Sequence, residues 1–161
     1  MTIVIDVANV MGSRPDGWWR DRAGAAVRLH DEVVQLAASG HVAPPAASDE
    51  PAPGEHADEP GNAGVPGFVM VLEGAAKAAA RRISPPARED ADVTGGVAPG
   101  EVLVVLARGS GDDTIVAVAR DVPGPRYVVT ADRELRRRCA AAGAEILGPG
   151  WLLSQLRPAA P

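Results

Sequence analysis

The sequence predicts an α/β protein in which a parallel β-sheet carries helices on both faces, a three-layer α/β/α arrangement. Three observations lead there. Short runs of Val, Ile and Leu alternate with Ala-rich segments of helical periodicity, and regular β-α alternation implies parallel strands joined by crossovers. Hydrophobic residues make up 46% of the chain but aromatics only 3%, so the core is aliphatic, as in sheets buried on both sides. A length of 161 residues suits one domain with a sizeable core, expected over residues 1–157.

Each element has its own signal. Residues 2–6, Thr-Ile-Val-Ile-Asp, form an apolar run ending in a carboxylate and read as a buried strand. A turn-rich stretch follows over 9–17. From 21 to 39 the spacing is helical, with Ala26, Leu29, Val33, Leu36 and Ala37 at threes and fours and Gly40 at the stop. Residues 41–66 are Pro, Ala, Gly and acid without periodicity, which predicts a disordered insertion. Strand 68–72 leads to an Ala-rich helix over 74–82, and a second low-complexity loop is expected over 84–100. Strand 102–106, a Gly-Ser-Gly turn and a helix over 112–120 come next. They are followed by strand 126–130, a helix over 132–142 closed by Gly143, and a short strand over 145–147. Pro149 suits the first turn of a last helix.

Composition excludes several classes. The lone Cys139 cannot form an intrachain disulfide or a Cys-based metal centre, and as a thiol nucleophile it lacks a His nearby in sequence. No apolar run approaches the roughly 20 residues needed to span a bilayer, and the N-terminus has no signal-peptide pattern, so a cytoplasmic, membrane-free protein is expected. The net charge is −5, but five of the 21 acids fall in 41–66, where no Lys or Arg occurs. The remaining 16 acids balance the 16 basic residues, which argues against a broad nonspecific basic patch. His30 lies in the middle of a helical segment and His41 and His56 in or beside the insertion, and all three are expected at the surface.

In parallel α/β sheets, ligands bind beyond the C-terminal ends of the strands. Reading only those ends, acids recur: Asp6 after the first strand, Glu73 after the second, Asp112 and Asp113 after the third, and Asp132 after the fourth. Adjacent strands lie about 4.8 Å apart, so acids at neighbouring ends come within reach of a shared cation. Crowded carboxylates repel, and a divalent ion relieves them; oxygen-only ligands favour Mg²⁺ or Mn²⁺ over Zn²⁺. Each acid also has a purely structural reading. Asp112 and Asp132 sit where helix N-caps are expected, and Asp113 and Glu73 could be solvated acids of a first helical turn. Asp6 is harder to explain that way, because a charge ending an apolar strand is half buried and needs a partner.

Three motifs carry a resemblance. Ile-Asp-Val-Ala-Asn (5–9), Gly-Asp-Asp-Thr-Ile-Val (111–116) and Val-Thr-Ala-Asp-Arg-Glu-Leu (129–135) resemble the acidic motifs of PIN/NYN-domain ribonucleases, nearest the bacterial NYN branch. The resemblance implies a PIN-like (NYN) fold with a sheet of about five strands in the order 3-2-1-4-5, a Mg²⁺ or Mn²⁺ site, and hydrolysis of RNA phosphodiester bonds. Asp6, Asp112 and Asp132 match the family's catalytic metal ligands, with Asp113 or Glu73 as the fourth acid. Asn9 matches the polar residue near the first acid and Thr130 the hydroxyl before the last, and the resemblance makes both candidate substrate contacts. The fourth acid is not fixed by the motifs, and the Pro-rich insertion is no part of them.

Several residues could face substrate. Arg14, Arg20 and Arg22 follow the first acid and could clamp phosphates, while Trp18 or Trp19 could stack on a base. The competing reading packs one Trp at the sheet edge and pairs the arginines with Asp16 and Asp21. Arg108-Gly-Ser110-Gly-Asp could offer backbone N–H groups to a phosphate, or form only a tight turn; it lacks the Lys-Ser/Thr of a Walker A loop. Arg133, Arg136 and Arg137 share a helix face that could follow RNA or simply be solvated. Two other functions compete with a ribonuclease: a metal-dependent nucleotide (pyro)phosphohydrolase, without a Nudix-type acidic run, and a non-catalytic module binding RNA or protein. A receiver-type domain is weaker, since Lys77, the only lysine, lies away from the last strand. Monomer and homodimer are both compatible with the sequence.

Overall fold

A computed structural model describes residues 1–43, 64–83, 87–89 and 92–156. Its centre is a six-stranded, wholly parallel sheet: β1 (Thr2–Asp6), β2 (Gly67–Leu72), β3 (Arg88–Glu89), β4 (Val102–Leu106), β5 (Arg126–Val129) and β6 (Glu145–Leu147). The spatial order is β3-β4-β2-β1-β5-β6. Its five longer strands stand in the expected order, and β3 adds an edge where the low-complexity loop was expected. Arg88 and Glu89 pair there with Val105 and Leu106 of β4. Such an edge, two residues long and charged, is poorly suited to recruit another strand.

The aliphatic runs behave as the period of a strand requires. Ile3, Ile5, Phe68, Met70, Leu72 and Val104 enter one core, against α1 (Val7–Gly12), α2 (Arg22–Ser39), the 3₁₀ helix Gly74–Arg81 and α5 (Pro149–Leu156). Val4, Val69, Val71, Leu103, Val105 and Val128 enter the other, against α3 (Gly111–Asp121) and α4 (Arg133–Ala141). Both faces of the sheet are therefore covered, which explains why β1 and β2 are buried at every residue.

Several expectations need correction. The segment read as turn-rich after β1 opens with helix α1, capped by Asp6, whose side chain accepts the Asn9 N–H. The segment 74–82 is a 3₁₀ rather than an α-helix. Part of the loop 84–100 is built into the protein, since Val93 is buried in the second core. Most of the insertion 41–66, His56 included, lies outside the described residues. No helix among those residues is long and apolar enough to cross a membrane.

His30 is also not a surface residue. It is buried on α2; Nδ1 lies 3.1 Å from the Asp31 carboxylate, while Nε2 has no hydrogen-bond partner among the described residues. A buried polar atom without a partner costs about 1–3 kcal/mol. His30→Leu keeps the apolar contact, raises helix propensity and leaves Asp31 solvated. It is expected to raise stability to denaturant by about 1 kcal/mol, read as an increased midpoint at unchanged slope. A lowered midpoint would show that His30 Nε2 has a stabilising partner.

Candidate functional site

The first strand sets the position of the site. Along the sheet, β2 and β4 lie on one side of β1 and β5 and β6 on the other, so the order in which strands are added reverses at the β1–β5 boundary. Loops diverge at such a switch point and leave a crevice at the strand C-termini. Asp6 ends β1 there, beside the end of β5, where the register pairs Ile5 with Val129.

Asp6 is only 7% exposed, and both of its oxygens are engaged. Asn9 N–H donates to Oδ1 at 3.1 Å and Thr130 Oγ1 donates to Oδ2 at 2.9 Å. Thr130 is fully buried, and its Oγ1 also accepts the Asp132 N–H at 3.2 Å. Asn9 Oδ1 in turn accepts the Ala131 N–H at 2.9 Å, tying α1 to the β5–α4 loop. Thr130 therefore positions Asp6 and Asp132 and does not face substrate, which corrects its assignment as a substrate contact.

Four acids converge on one open cleft of about 450 Å³, lined by Asp6, Glu73, Asp112 and Asp132 together with Asn9 and Ser13. Each comes from a different element. Asp132 caps α4, accepting the Leu135 N–H at 2.8 Å. Glu73 follows β2 and accepts the Gly111 N–H at the start of α3 at 2.9 Å. A Cβ at 111 would stand 2.4 Å from Glu73 Oε2 and 2.7 Å from its carboxyl carbon, so a side chain there would displace the carboxylate from this N–H. Asp112 lies one residue further on and has no hydrogen-bond donor among the described residues. The lining of the cleft contains no Lys or Arg among those residues.

The charges act on one another. Burial pushes the Asp6 carboxyl above its ordinary range; hydrogen bonds from Asn9 and Thr130 oppose that, and the charges of Asp112 and Glu73 add to it. Asp112 is also raised, by desolvation first and then by Asp132 and Glu73, against a smaller pull from Arg138. Among the described residues, no three acid, His or Cys side chains are gathered closely enough to hold an ion directly. Three of the four acids are fixed by backbone N–H groups, which limits how far they can close in. The donor set nevertheless fits a hard cation such as Mg²⁺ or Mn²⁺, which is commonly held by one or two carboxylates and keeps several waters.

The other expected residues separate clearly. Asp113 points away from the cleft and pairs with Arg138, so of the two candidates for the fourth acid only Glu73 lines it. Arg14 makes a two-pronged pair with Glu32 on α2, neither Asp16 nor Asp21 being its partner. Asp21 instead caps α2 through the Gly24 N–H. Arg108, Ser110 and Asp113 line a separate cavity of about 430 Å³ beside α3. Arg133 is exposed on α4, next in the chain to Asp132. Trp18 lines a third hollow adjoining the cleft. The Cys139 thiol is buried and pushed up to about 11 by desolvation, unlike a nucleophile.

The raised acids predict a pH dependence in the absence of divalent ions. A carboxyl raised in the folded state binds protons more tightly there than in the unfolded chain, so stability falls as pH rises through the window above its unfolded value. Asp112→Asn removes that loss. In chelator, its thermal midpoint is expected to exceed wild type at pH 7, with the difference shrinking toward pH 4. An equal or lower midpoint at pH 7 would mean that the four acids do not strain the fold.

No family model and no curated protein matches the sequence. Among solved structures, the chain is similar to a point mutant of Rae1 (YacP) from Bacillus subtilis. The TM-score is 0.54 and the identity 12%, over 96% of this chain and 74% of that one. At that identity the likeness is one of fold: a parallel α/β sheet flanked by helices.

Proposed function

We propose that this protein is a metal-dependent ribonuclease that hydrolyses RNA phosphodiester bonds at the Asp6–Glu73–Asp112–Asp132 cleft. The observation that carries the reading is the convergence of four carboxylates from four segments on the sheet's switch point, in a cleft whose lining holds no Lys or Arg among the described residues. Asp6 and Asp112 are raised partly by their neighbours, and such mutual strain is a mark of functional clusters. The motif resemblance to PIN/NYN ribonucleases supplies the substrate class, and the fold shared with Rae1 (YacP) agrees with that resemblance.

A bound Mg²⁺ or Mn²⁺ would polarise the phosphoryl oxygens and lower the pKa of a coordinated water. The chain's own residues supply position. Thr130 and Asn9 hold Asp6 with both oxygens oriented at the floor. Gly111 holds Glu73 on one wall and the α4 backbone holds Asp132 on the other. Asp112, lacking such a tether, is the side chain able to shift toward the phosphate. Ser13, Ala131 and Asp132 at the rim are exposed, so a polymer can cross the cleft without threading into the protein. That openness favours an RNA strand over a small enclosed nucleotide.

Asp6→Asn keeps the size of the side chain and an acceptor for Asn9 or Thr130 while removing the charge. With labelled single-stranded RNA and Mn²⁺, cleavage is expected to fall at least 100-fold in this variant, consistent with loss of metal-assisted chemistry, and to vanish for wild type in EDTA. Cleavage by Asp6→Asn at the wild-type rate would remove the site; failure of folded wild type to cut RNA while hydrolysing free nucleotides would favour the phosphohydrolase.

A further inference from the structure

Beside the carboxylate cleft lies a hollow of about 370 Å³ to which, of the four acids, only Glu73 contributes. Ala8, Met11 and Ala76 supply apolar wall, and Trp18 and Arg22 supply an aromatic face and a cation. The hollow shares Ala8 and Glu73 with the cleft, so the two adjoin. The Arg22 guanidinium lies 5.4 Å from the Trp18 ring centroid. Trp18 itself is seated over α1, where a Cβ built on Gly12 would lie 3.8 Å from Cζ2 of the indole. Gly12 lines the cleft, which puts the indole at the seam between the two spaces.

These are the contacts a nucleotide asks for. A flat π face takes a base of any identity, and a guanidinium takes a phosphate or adds a cation–π contact. The volume falls within the roughly 300–1,000 Å³ of small-ligand pockets. The larger cavity beside α3 is a poorer match, since its lining includes Arg108 but no aromatic ring on which a base could stack. We infer that the Trp18–Arg22 hollow is a base subsite, taking one unstacked nucleobase of single-stranded RNA next to the phosphate held over the carboxylates. The inference rests on the ribonuclease reading for its substrate class. A base paired and stacked in a duplex cannot enter, so the subsite selects single strands. Because stacking reads the π face and not base edges, the selection is tolerant of sequence.

The test separates binding from cutting. A fluorescent single-stranded RNA hexamer of mixed sequence is titrated with the full chain at low salt, with Ca²⁺ in place of Mg²⁺ or Mn²⁺ to neutralise the four carboxylates, and followed by anisotropy. Trp18→Leu is expected to weaken binding about tenfold or more, Trp18→Phe to retain most of it, and unlabelled duplex of the same sequence to compete poorly. Arg22 is exposed, so Arg22→Ala should fold whatever happens to the Trp variants, and it is expected to weaken binding severalfold. Loss in Trp18→Leu with rescue by Trp18→Phe identifies stacking rather than packing. No measurable binding by wild type, or wild-type affinity in both folded Trp18→Leu and Arg22→Ala, overturns the subsite. Binding through Trp18 by a protein that cuts nothing in Mn²⁺ removes the nuclease and keeps the subsite. Cutting with KM and kcat unaltered by both variants does the reverse.

Discussion

The hydrogen bond from Thr130 to Asp6 joins the ends of the two parallel strands, β1 and β5, at which the strand order reverses. Around it the other contacts fall into place. The Asp6 carboxylate caps α1, Asn9 of that helix holds the β5–α4 loop, and the Thr130 hydroxyl receives the N–H of Asp132. A buried carboxylate without such donors would be costly. With them it becomes a fixed point that orients both loops of the crevice, and the second acid of the pair is placed by the same hydroxyl that steadies the first. Burial, topology and chemistry are thus coupled through one side chain.

The opposite wall is built by a different device. Glu73 and Gly111 lie far apart in sequence but meet because β2 and β4 are neighbours, and Ala107 N–H donates to Leu72 O just before the loop opens. The missing side chain at Gly111 lets the Glu73 carboxylate reach the start of α3, where the helix dipole also favours an anion. That contact offsets part of the repulsion at Glu73. Asp112, with no such donor, keeps the remainder. The fold therefore concentrates unrelieved charge at the one acid best able to move, a distribution expected where stability gives way to function.

Much of this was legible in the sequence, for identifiable reasons. Four-to-six-residue aliphatic runs have one good home, a sheet buried on both faces, so the strands and their terminal acids were readable. Helix α1 was not, because Asn9 and Gly12 read as turn residues until Asp6 is known to cap them. His30 could have been placed correctly: it stands four residues after Ala26 and three before Val33, on the apolar stripe of α2, but its polarity outweighed its periodicity. The choice between Glu73 and Asp113 was beyond sequence, since only the β2–β4 pairing brings Glu73 to Gly111 and only the approach of α4 gives Asp113 its Arg138 partner. The short edge strand β3 has no apolar run to announce it, and its partner β4 decides it.

Whether the four carboxylates act as one divalent-cation site is tested, without any assumption about substrate, by Mn²⁺ binding followed by electron paramagnetic resonance. Wild type should take up Mn²⁺, Asp6→Asn and Glu73→Gln should bind it at least tenfold more weakly, and Asp113→Asn should bind as wild type. Unchanged affinity in Asp6→Asn and Glu73→Gln, or loss confined to Asp113→Asn, would mean that these four acids do not share an ion.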